Sequence, residues 1–217
     1  MAMLLTPLQA RIVGVLVEKQ HTVPDTYPLS LNALVTGCNQ KNARDPVMEA
    51  TEGEVRAALD ELRQRLLVIE SSGARVTRYS HNLGRVLKVP AQAEALLATL
   101  MLRGAQTASE LRIASERLHR FADTGSVEVF LEELAARPAD HGGALALKLP
   151  RRPGEREARW AHLLCGAPPA GAASADPVPA TQPAGLAAEV SALRAEVEAL
   201  RAEVAALRAR LPDLAGA

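Results

Sequence analysis

Aromatic residues are scarce in this sequence, and that scarcity excludes one class of nucleic-acid binding. Phe, Tyr and Trp make up 2% of the 217 residues. Proteins that bind single strands stack successive bases on aromatic side chains, so we expect no such stacking platform. Charge is balanced at 25 basic and 25 acidic residues, and no segment is polybasic. Any contact with nucleic acid must therefore come from a local patch rather than from bulk charge.

Cysteines and long apolar runs are also rare. Cys38 and Cys165 lie far apart and have no second Cys or His at ligand spacing. Neither a disulfide framework nor a zinc site is expected, and a reducing compartment fits. The apolar N-terminal segment is interrupted early by Gln9 and Arg11, which argues against a signal peptide and a membrane span. The sequence predicts a soluble, cytoplasmic protein that does not enter a membrane.

Motifs of common enzyme chemistries are missing as well. The sequence contains no Walker loop, no G-x-G-x-x-G and no paired Cys motif. Cys38 has no His placed by the sequence to activate it as a nucleophile, so it is interpreted as a small apolar residue at a helix end. We predict no enzymatic activity, no cofactor and no metal site.

Residues 51–81 pass from a helical period to a strand period with no loop between them. Thr51 and Glu54 form a capping box, and the predicted buried stripe of the helix follows at Val55, Ala58, Leu59, Leu62 and Leu66. Residues 67–70 and 75–81 are predicted to be the strands of a hairpin. A helix that runs into a β-hairpin is typical of a winged-helix domain.

The residues before this stretch supply the other two helices of such a domain. Thr6, Pro7 and Gln9 begin a helix that should end near Gln20. Ser30 is predicted to cap a second helix that runs through Cys38. Residues 39–45 form a polar, amide-rich connection, interpreted either as a loop that caps neighbouring helix ends or as a contact surface.

The same order of elements then recurs. Pro90 begins a helix as Pro7 does, and Thr107 with Glu110 forms a further capping box. Ser126 is predicted to cap the next helix, and residues 144–149 and 157–164 are predicted strands. His81 and His162 fall at matching places near the strand ends, which favours a duplicated structural role. We interpret this as an internal duplication.

The predicted fold is mainly α with small β-hairpins (α+β): two tandem winged-helix domains followed by a C-terminal coiled-coil helix. The domains are residues 1–88 and 89–165. Residues 166–185 are rich in Ala, Pro and Gly and are predicted to be a flexible linker. Residues 186–211 are the coiled-coil helix.

The C-terminal helix carries an unbroken heptad pattern with Val at a and Leu at d. That choice favours a parallel dimer, and Glu at g with Arg at e agrees with it. The alternative is an amphipathic helix that packs on its own domain. The predicted dimerisation residues are Leu186, Val190, Leu193, Val197, Leu200, Val204 and Leu207.

Several short motifs occur in order along the chain, among them Glu18-Lys19-Gln20, Arg44-Asp45-Pro46-Val47-Met48, Leu102-Arg103-Gly104-Ala105-Gln106-Thr107 and Pro153-Gly154-Glu155-Arg156-Glu157. Together they resemble the YceH-like family of uncharacterised bacterial proteins. The resemblance covers residues 6–166, with small departures at Asn42-Ala43 and Ile113-Ala114. It implies tandem winged-helix domains and a cytoplasmic bacterial protein, but no activity.

Two functions remain open, and the first is binding of double-stranded DNA. The third helix of each repeat begins with acidic residues, which disfavours its insertion into a groove. The basic residues of the hairpins and of the loop before the third helix are better candidates for phosphate contacts. The predicted set is Lys41, Arg44, Arg75, Arg78, Arg151, Arg152 and Arg156.

The second open function is a protein-interaction scaffold. Acidic third helices, zero net charge and a dimerising tail suit a homodimer that binds a protein partner without binding DNA. Binding to a duplex across a salt series separates the two functions.

Overall fold

Capping residues fix where the helices begin in the computed structural model, which describes residues 4–72, 76–151 and 153–168. The three predicted capping boxes, at Thr6, Thr51 and Thr107, are confirmed. The prediction for Ser126 is wrong. Asp123 is the cap of that helix, and its carboxylate accepts from the Ser126 N–H at 2.7 Å. A carboxylate suits the positive end of the helix dipole, so Asp123 is the better cap.

The fold is α+β, as predicted, and the same succession of elements occurs twice. The first repeat contains α1 (Pro7–Thr22), β1 (Leu29–Ser30), α2 (Leu31–Cys38), α3 (Glu52–Gln64), β2 (Val68–Ser72), β3 (Thr77–His81) and α4 (Leu83–Leu87). The second contains α5 (Ala91–Arg103), β4 (Gln106–Thr107), α6 (Ala108–Ala114), α7 (Thr124–Ala135), β5 (Ala146–Lys148) and β6 (Arg159–His162). Short 3₁₀ helices lie at Pro24–Thr26 and Ala139–His141.

Each repeat has a three-stranded antiparallel sheet with the last strand in the centre. The orders are β1-β3-β2 and β4-β6-β5. Leu29 pairs with Tyr79 in the first sheet, and Gln106 pairs with Trp160 in the second. This common register places Arg78 and Arg159 at equivalent positions. It also makes His81 equivalent to His162, which confirms their predicted match.

The junction between α3 and β2 differs from the prediction at one residue. Leu66 was expected in the buried stripe of the helix, but it is 67% exposed. The helix ends at Gln64, and Leu66 takes a left-handed conformation with φ 59°. That turn redirects the chain so that Leu67, not Leu66, enters the core.

The core is built around the first helix of each repeat. Every residue from Gln9 to Val17 of α1 is buried, and so is every residue from Ala95 to Leu102 of α5. Helices that are apolar all round lie in the interior. The two helices pack closely at Gly14, where an added Cβ would lie 3.0 Å from the Leu102 side chain.

Hydrogen bonds also join the two repeats. The Leu5 N–H donates to the Leu164 carbonyl at 2.7 Å, and the Asp45 N–H donates to the Leu102 carbonyl at 2.8 Å. The Arg137 guanidinium donates to the Leu87 carbonyl. The described residues therefore form one unit with one hydrophobic core. The predicted boundary at residue 88 separates two repeats that are in contact.

Most of the linker at 166–185 and the whole heptad segment at 186–211 lie outside the described residues. Within the described ranges, no helix is long and apolar enough to cross a membrane.

Candidate functional site

The hairpin of the second repeat presents two of the predicted phosphate-contacting residues to solvent. Arg151 and Arg156 lie in the connection between β5 and β6, and both are exposed. Among the described residues, neither side chain has a hydrogen-bonding or ion-pair partner. Lys148 is also exposed, with its Nζ 5.2 Å from the centre of the Trp160 ring. Arg152 lies outside the described residues.

Arg159 belongs to the same hairpin, but its guanidinium already binds other groups of the protein. Its Nη1 donates to the Ala105 carbonyl at 3.2 Å and to Glu110 Oε2 at 3.1 Å. Its Nε lies 3.4 Å from Glu155 Oε2. These contacts attach β6 to the start of α6, so Arg159 has a structural role.

Arg78 has the equivalent position in the first repeat. Its Nη1 donates to the carbonyls of Thr26 and Pro28, at 3.2 and 2.7 Å. Pro28 and Ala105 each precede the first strand of their sheet, so the two arginines hold matching loops. Arg78 is nevertheless exposed and keeps part of its guanidinium available. Arg75 lies outside the described residues.

Arg44 was predicted to contact phosphate, and the structure contradicts this. Its side chain is 0% exposed. Nη2 and Nη1 donate to the two carboxylate oxygens of Glu18 at 2.6 and 3.1 Å. Nε donates to the Gly37 carbonyl at 3.3 Å, and Nη2 also donates to Gln40 Oε1. A guanidinium whose donors are all used inside the fold cannot neutralise a phosphate.

The loop at residues 39–45 therefore stabilises the fold through the side chains of Asn39 and Arg44. Burial acts to raise the pKa of Glu18, but hydrogen bonds and charge from Arg44, helped by Lys19, hold that pKa below its usual value. Asn39 exchanges two hydrogen bonds with the backbone of Ala50, at 2.8 and 2.7 Å. These contacts, with the Arg44 donation to the Gly37 carbonyl near the end of α2, favour the capping interpretation of the loop. Lys41 is exposed and stays a candidate for phosphate contact.

A buried arginine that the sequence did not reveal lies beside this loop. Arg11 is 1% exposed and donates to the carbonyls of Cys38 and Pro46, at 3.4 and 2.6 Å. Burial lowers the pKa of Arg11, and the charge of Arg44 adds to that effect. Burial also raises the pKa of the Cys38 thiol to about 12. A thiol this hard to ionise is a poor nucleophile.

The third helices of both repeats expose acidic surfaces. Two arginines of α3 form ion pairs with carboxylates: Arg56 pairs with Glu52 at 2.7 Å, and Arg63 with Glu70 at 2.8 Å. No basic residue is present on α7. Its exposed side chains are Glu128, Val129, Glu132 and Glu133.

His81 lies at a junction of both repeats, beside a cleft of about 470 Å³. Its Nε2 is hydrogen-bonded to Gln20 Oε1, and its Nδ1 lies 3.8 Å from Glu94 Oε2. Burial lowers the pKa values of His81 and His162 to about 4. Burial raises the pKa of Glu94. Both imidazoles are therefore neutral near pH 7.

A family model described as a protein of unknown function, DUF480, matches residues 5–155. The chain belongs to the DUF480 family. It is similar to UPF0502 proteins of Leptothrix cholodnii (69% identical over 162 residues, 75% of this chain and 71% of the relative) and Burkholderia orbicola (65% over 162 residues, 75% and 67%). A UPF0502 protein of Paraburkholderia phymatum is 58% identical over 190 residues, 85% of this chain and 80% of the relative.

This membership agrees with the resemblance to uncharacterised YceH-like proteins that the motifs carry. Several of those motifs meet in this DUF480 protein around a second cleft of about 350 Å³, between the loop at residues 43–45 and the second repeat. Its lining includes Asp45, Arg103, Gln106, Glu110 and Arg159. Sequence patterns did not predict that residues so far apart along the chain come together. In the described parts of the chain, no group of three or more His, Cys, Asp or Glu is arranged to hold a metal ion.

Proposed function

We propose that this protein is a non-enzymatic, tandem winged-helix protein that binds double-stranded DNA through the basic hairpin of its second repeat. The succession of elements supports the winged-helix interpretation. Each repeat runs helix, short strand, helix, helix, hairpin, and the returning strand pairs with the short one. This order matches that of a helix-turn-helix followed by a wing.

The exposed guanidinium groups of Arg151 and Arg156, which have no partner among the described residues, carry the DNA-binding proposal. A phosphate contact does not require either group to break a contact inside the fold. Lys41 is exposed as well, and it adds to the candidate contacts. Arg44 is excluded because it is buried.

The proposed binding mode differs from insertion of the third helix into the major groove. The face of α7 presents Glu128, Glu132 and Glu133 to solvent, and these carboxylates would repel phosphates on both sides of a groove. Contacts from the hairpin to the backbone position a protein but carry no base readout. We therefore expect binding with little sequence preference.

Binding to a 20-base-pair duplex across a salt series tests this proposal. Each phosphate contact adds about 0.9 to the slope of log affinity against log salt. The Arg151→Ala/Arg156→Ala variant should lower that slope by about two and weaken binding at low salt. Arg56→Ala, which removes an exposed arginine paired with Glu52, is the matched control and should keep the wild-type slope. Absence of binding at low salt, or an unchanged slope in the double variant, contradicts the proposal.

A protein-interaction scaffold is the second candidate function, and the surface of α7 favours it. Val129 is 54% exposed between the acidic side chains. An apolar residue rimmed by carboxylates suits a basic, amphipathic partner segment. If wild type fails to bind duplex DNA, a Val129→Lys variant that loses a partner captured by wild type supports the scaffold.

Dimerisation belongs to both candidate functions and rests on the heptad pattern of residues 186–211. A dimer would let weak contacts from two chains act at a high effective concentration. Deletion of residues 186–217 should convert the dimer to a monomer, as judged from the mass measured by light scattering. A mass that still corresponds to two chains contradicts a dimer formed through this segment.

A further inference from the structure

We propose that the outer face of α7 in one chain binds an apolar, basic surface around Leu66 in a second copy of this chain. That surface, called the Leu66 surface, consists of Leu4, Arg65, Leu66, Ile69 and Arg85, all of which are exposed. The contact uses none of the residues proposed to bind DNA, so duplex binding and this association succeed or fail separately. It also differs from dimerisation through the heptad segment, because it joins folded repeats.

Leu66 occupies a position at which glycine is usual. It follows the last turn of α3 with φ 59°. Its N–H donates to the Arg63 carbonyl at 2.9 Å, and the Leu67 N–H donates to the Leu62 carbonyl at 3.0 Å. This is the hydrogen-bond pattern of a Schellman motif, whose left-handed residue is most often glycine. A leucine there strains the backbone and leaves most of its side chain in solvent. Neither feature helps the folded chain, so a contact with another molecule is the better explanation of this side chain.

Exposed apolar side chains continue on either side of Leu66 in the fold. Arg65 Nη1 donates to the Leu4 carbonyl at 2.5 Å, and the Leu4 side chain is exposed. Asn82 Nδ2 donates to the Leu66 carbonyl at 3.0 Å, and Asn82 lines the cleft of about 470 Å³ together with the exposed Ile69. The three apolar side chains therefore belong to one surface that borders a cleft.

The free charges of the Leu66 surface are positive. Arg65 and Arg85 are exposed, and among the described residues neither forms an ion pair. The acidic residue of the cleft, Glu94, is largely buried and accepts a backbone hydrogen bond. Glu61, one turn before Arg65 on α3, accepts from Gln9 Nε2 at 2.6 Å. An acidic segment with an apolar centre therefore complements this surface.

The outer face of α7 has that chemistry. Val129 is 54% exposed, Glu128, Glu132 and Glu133 are exposed around it, and α7 contains no basic residue. Within one chain this face does not reach the Leu66 surface, because both are exposed in the same folded unit. Two copies can each offer α7 to the Leu66 surface of the other, which gives a closed pair with two-fold symmetry. The chain thus supplies both complementary surfaces itself.

Cross-linking of two co-expressed, differently tagged full chains tests the contact. The first chain carries Leu66→Cys and the second Val129→Cys, and both carry Cys165→Ser because Cys165 is exposed. A short bismaleimide should join them in roughly tenfold higher yield than it joins Leu66→Cys to Val47→Cys, because the contact holds the two thiols at high effective concentration. Val47 is 52% exposed and lies outside both surfaces, so it is the matched control for Val129.

Dimerisation through the heptad segment raises the yields of both pairs equally, so it does not produce this difference. Equal yields for the two pairs, or no product in either, overturn the proposal.

Charge reversal then separates a specific contact from chance proximity. Arg65→Glu/Arg85→Glu in the first chain should lower the cross-linking yield about tenfold, since like charges across an interface repel. Glu128→Arg/Glu132→Arg in the second chain should do the same, and the two reversed chains together should recover most of the original yield. All four positions are exposed, and the melting curve of each variant checks that it is folded. If reversal leaves the yield unchanged, or if the two reversed chains together do not recover it, α7 does not bind the Leu66 surface.

Discussion

Arg44 is a buried cation whose charge is compensated by the carboxylate of Glu18. Its bidentate pair with Glu18 is largely buried, and removal of Arg44 leaves the Glu18 carboxylate with only the partly exposed Lys19, whose Nζ lies 3.2 Å from Oε2. We expect Arg44→Met to lower the free energy of unfolding by about 3–5 kcal/mol, measured by denaturant unfolding. Lys41→Ala, an exposed cation in the same loop, should change it by less than about 0.5 kcal/mol.

A second substitution separates the stability lost with the ion pair from the stability lost with side-chain packing. Arg44→Met/Glu18→Met removes both charges and should recover a large part of the loss. A single Arg44→Met variant that loses less than about 1 kcal/mol would show that Glu18 is not held by this contact.

The two equivalent histidines make stability depend on pH. The pKa values of His81 and His162 are about 4 in the folded protein and about 6.5 in an unfolded chain. Between those values the unfolded chain binds more protons, so stability is fully present above pH 6.5 and is lost as pH falls towards 4. Each histidine accounts for about 3 kcal/mol of that loss.

A His81→Gln variant should therefore show a weaker pH dependence than wild type between pH 6.5 and pH 4, measured by urea unfolding at each pH. His141→Gln replaces an exposed histidine and is the control. If the free energy of unfolding falls with pH equally in wild type and in His81→Gln, burial does not lower the pKa of His81.

At the residue scale, the sequence correctly predicted the exposure of charged side chains only where that exposure follows from a place in a connection between elements. Lys41, Arg151 and Arg156 lie in connections and are exposed as expected. Arg44 lies in the same kind of connection but reaches Glu18, 26 residues away. Arg11 likewise bonds to Pro46, 35 residues away. Burial of such charges depends on tertiary contacts that local periodicity does not contain.

Close packing between α1 and α5 rests on a residue without a side chain. A Cβ at Gly14 would lie 3.0 Å from Leu102 Cγ and 3.4 Å from the Ala98 carbonyl oxygen. Gly14→Val should therefore overpack the interface and lower stability by about 1–3 kcal/mol. Chemical denaturation of the full chain measures the change.

Gly53 in α3 provides the matched control. It has no atom within 4 Å of an added Cβ, so Gly53→Ala should raise stability by roughly 0.5 kcal/mol through helix propensity alone. If Gly14→Val is as stable as wild type, the two helices do not pack as tightly as their contact implies.

At the element scale, five of the seven described helices begin with a side-chain cap, and such local signals made most of the helices predictable. The helix α4, which has no side-chain cap, was not predicted. The strands β1 and β4 were not predicted. Each has two residues, too few for a period of two to be visible, and each exists because β3 or β6 pairs with it. The end of α3 was misplaced for a similar reason, since Leu66 continues the apolar period although the chain has already turned.

The whole molecule joins its two repeats through one core. The helices α1 and α5 are each buried almost all round, and much of that burial is mutual. Sequence patterns mark the repeats because each repeat has its own local period. They do not reveal the contact between α1 and α5, which follows only from the packing of the buried segments of the two helices.

A shared core predicts that the repeats unfold together. Residues 1–168 should give one cooperative transition by circular dichroism and tryptophan fluorescence, with the same midpoint for both probes. Trp160 reports the second repeat alone, whereas helical dichroism reports both. A fragment of residues 1–88 loses α5 and exposes apolar surface of α1, so it should lack a cooperative transition under the same conditions. Distinct midpoints, or a fragment that unfolds cooperatively at the midpoint of the longer chain, would mean that each repeat is stable without the other.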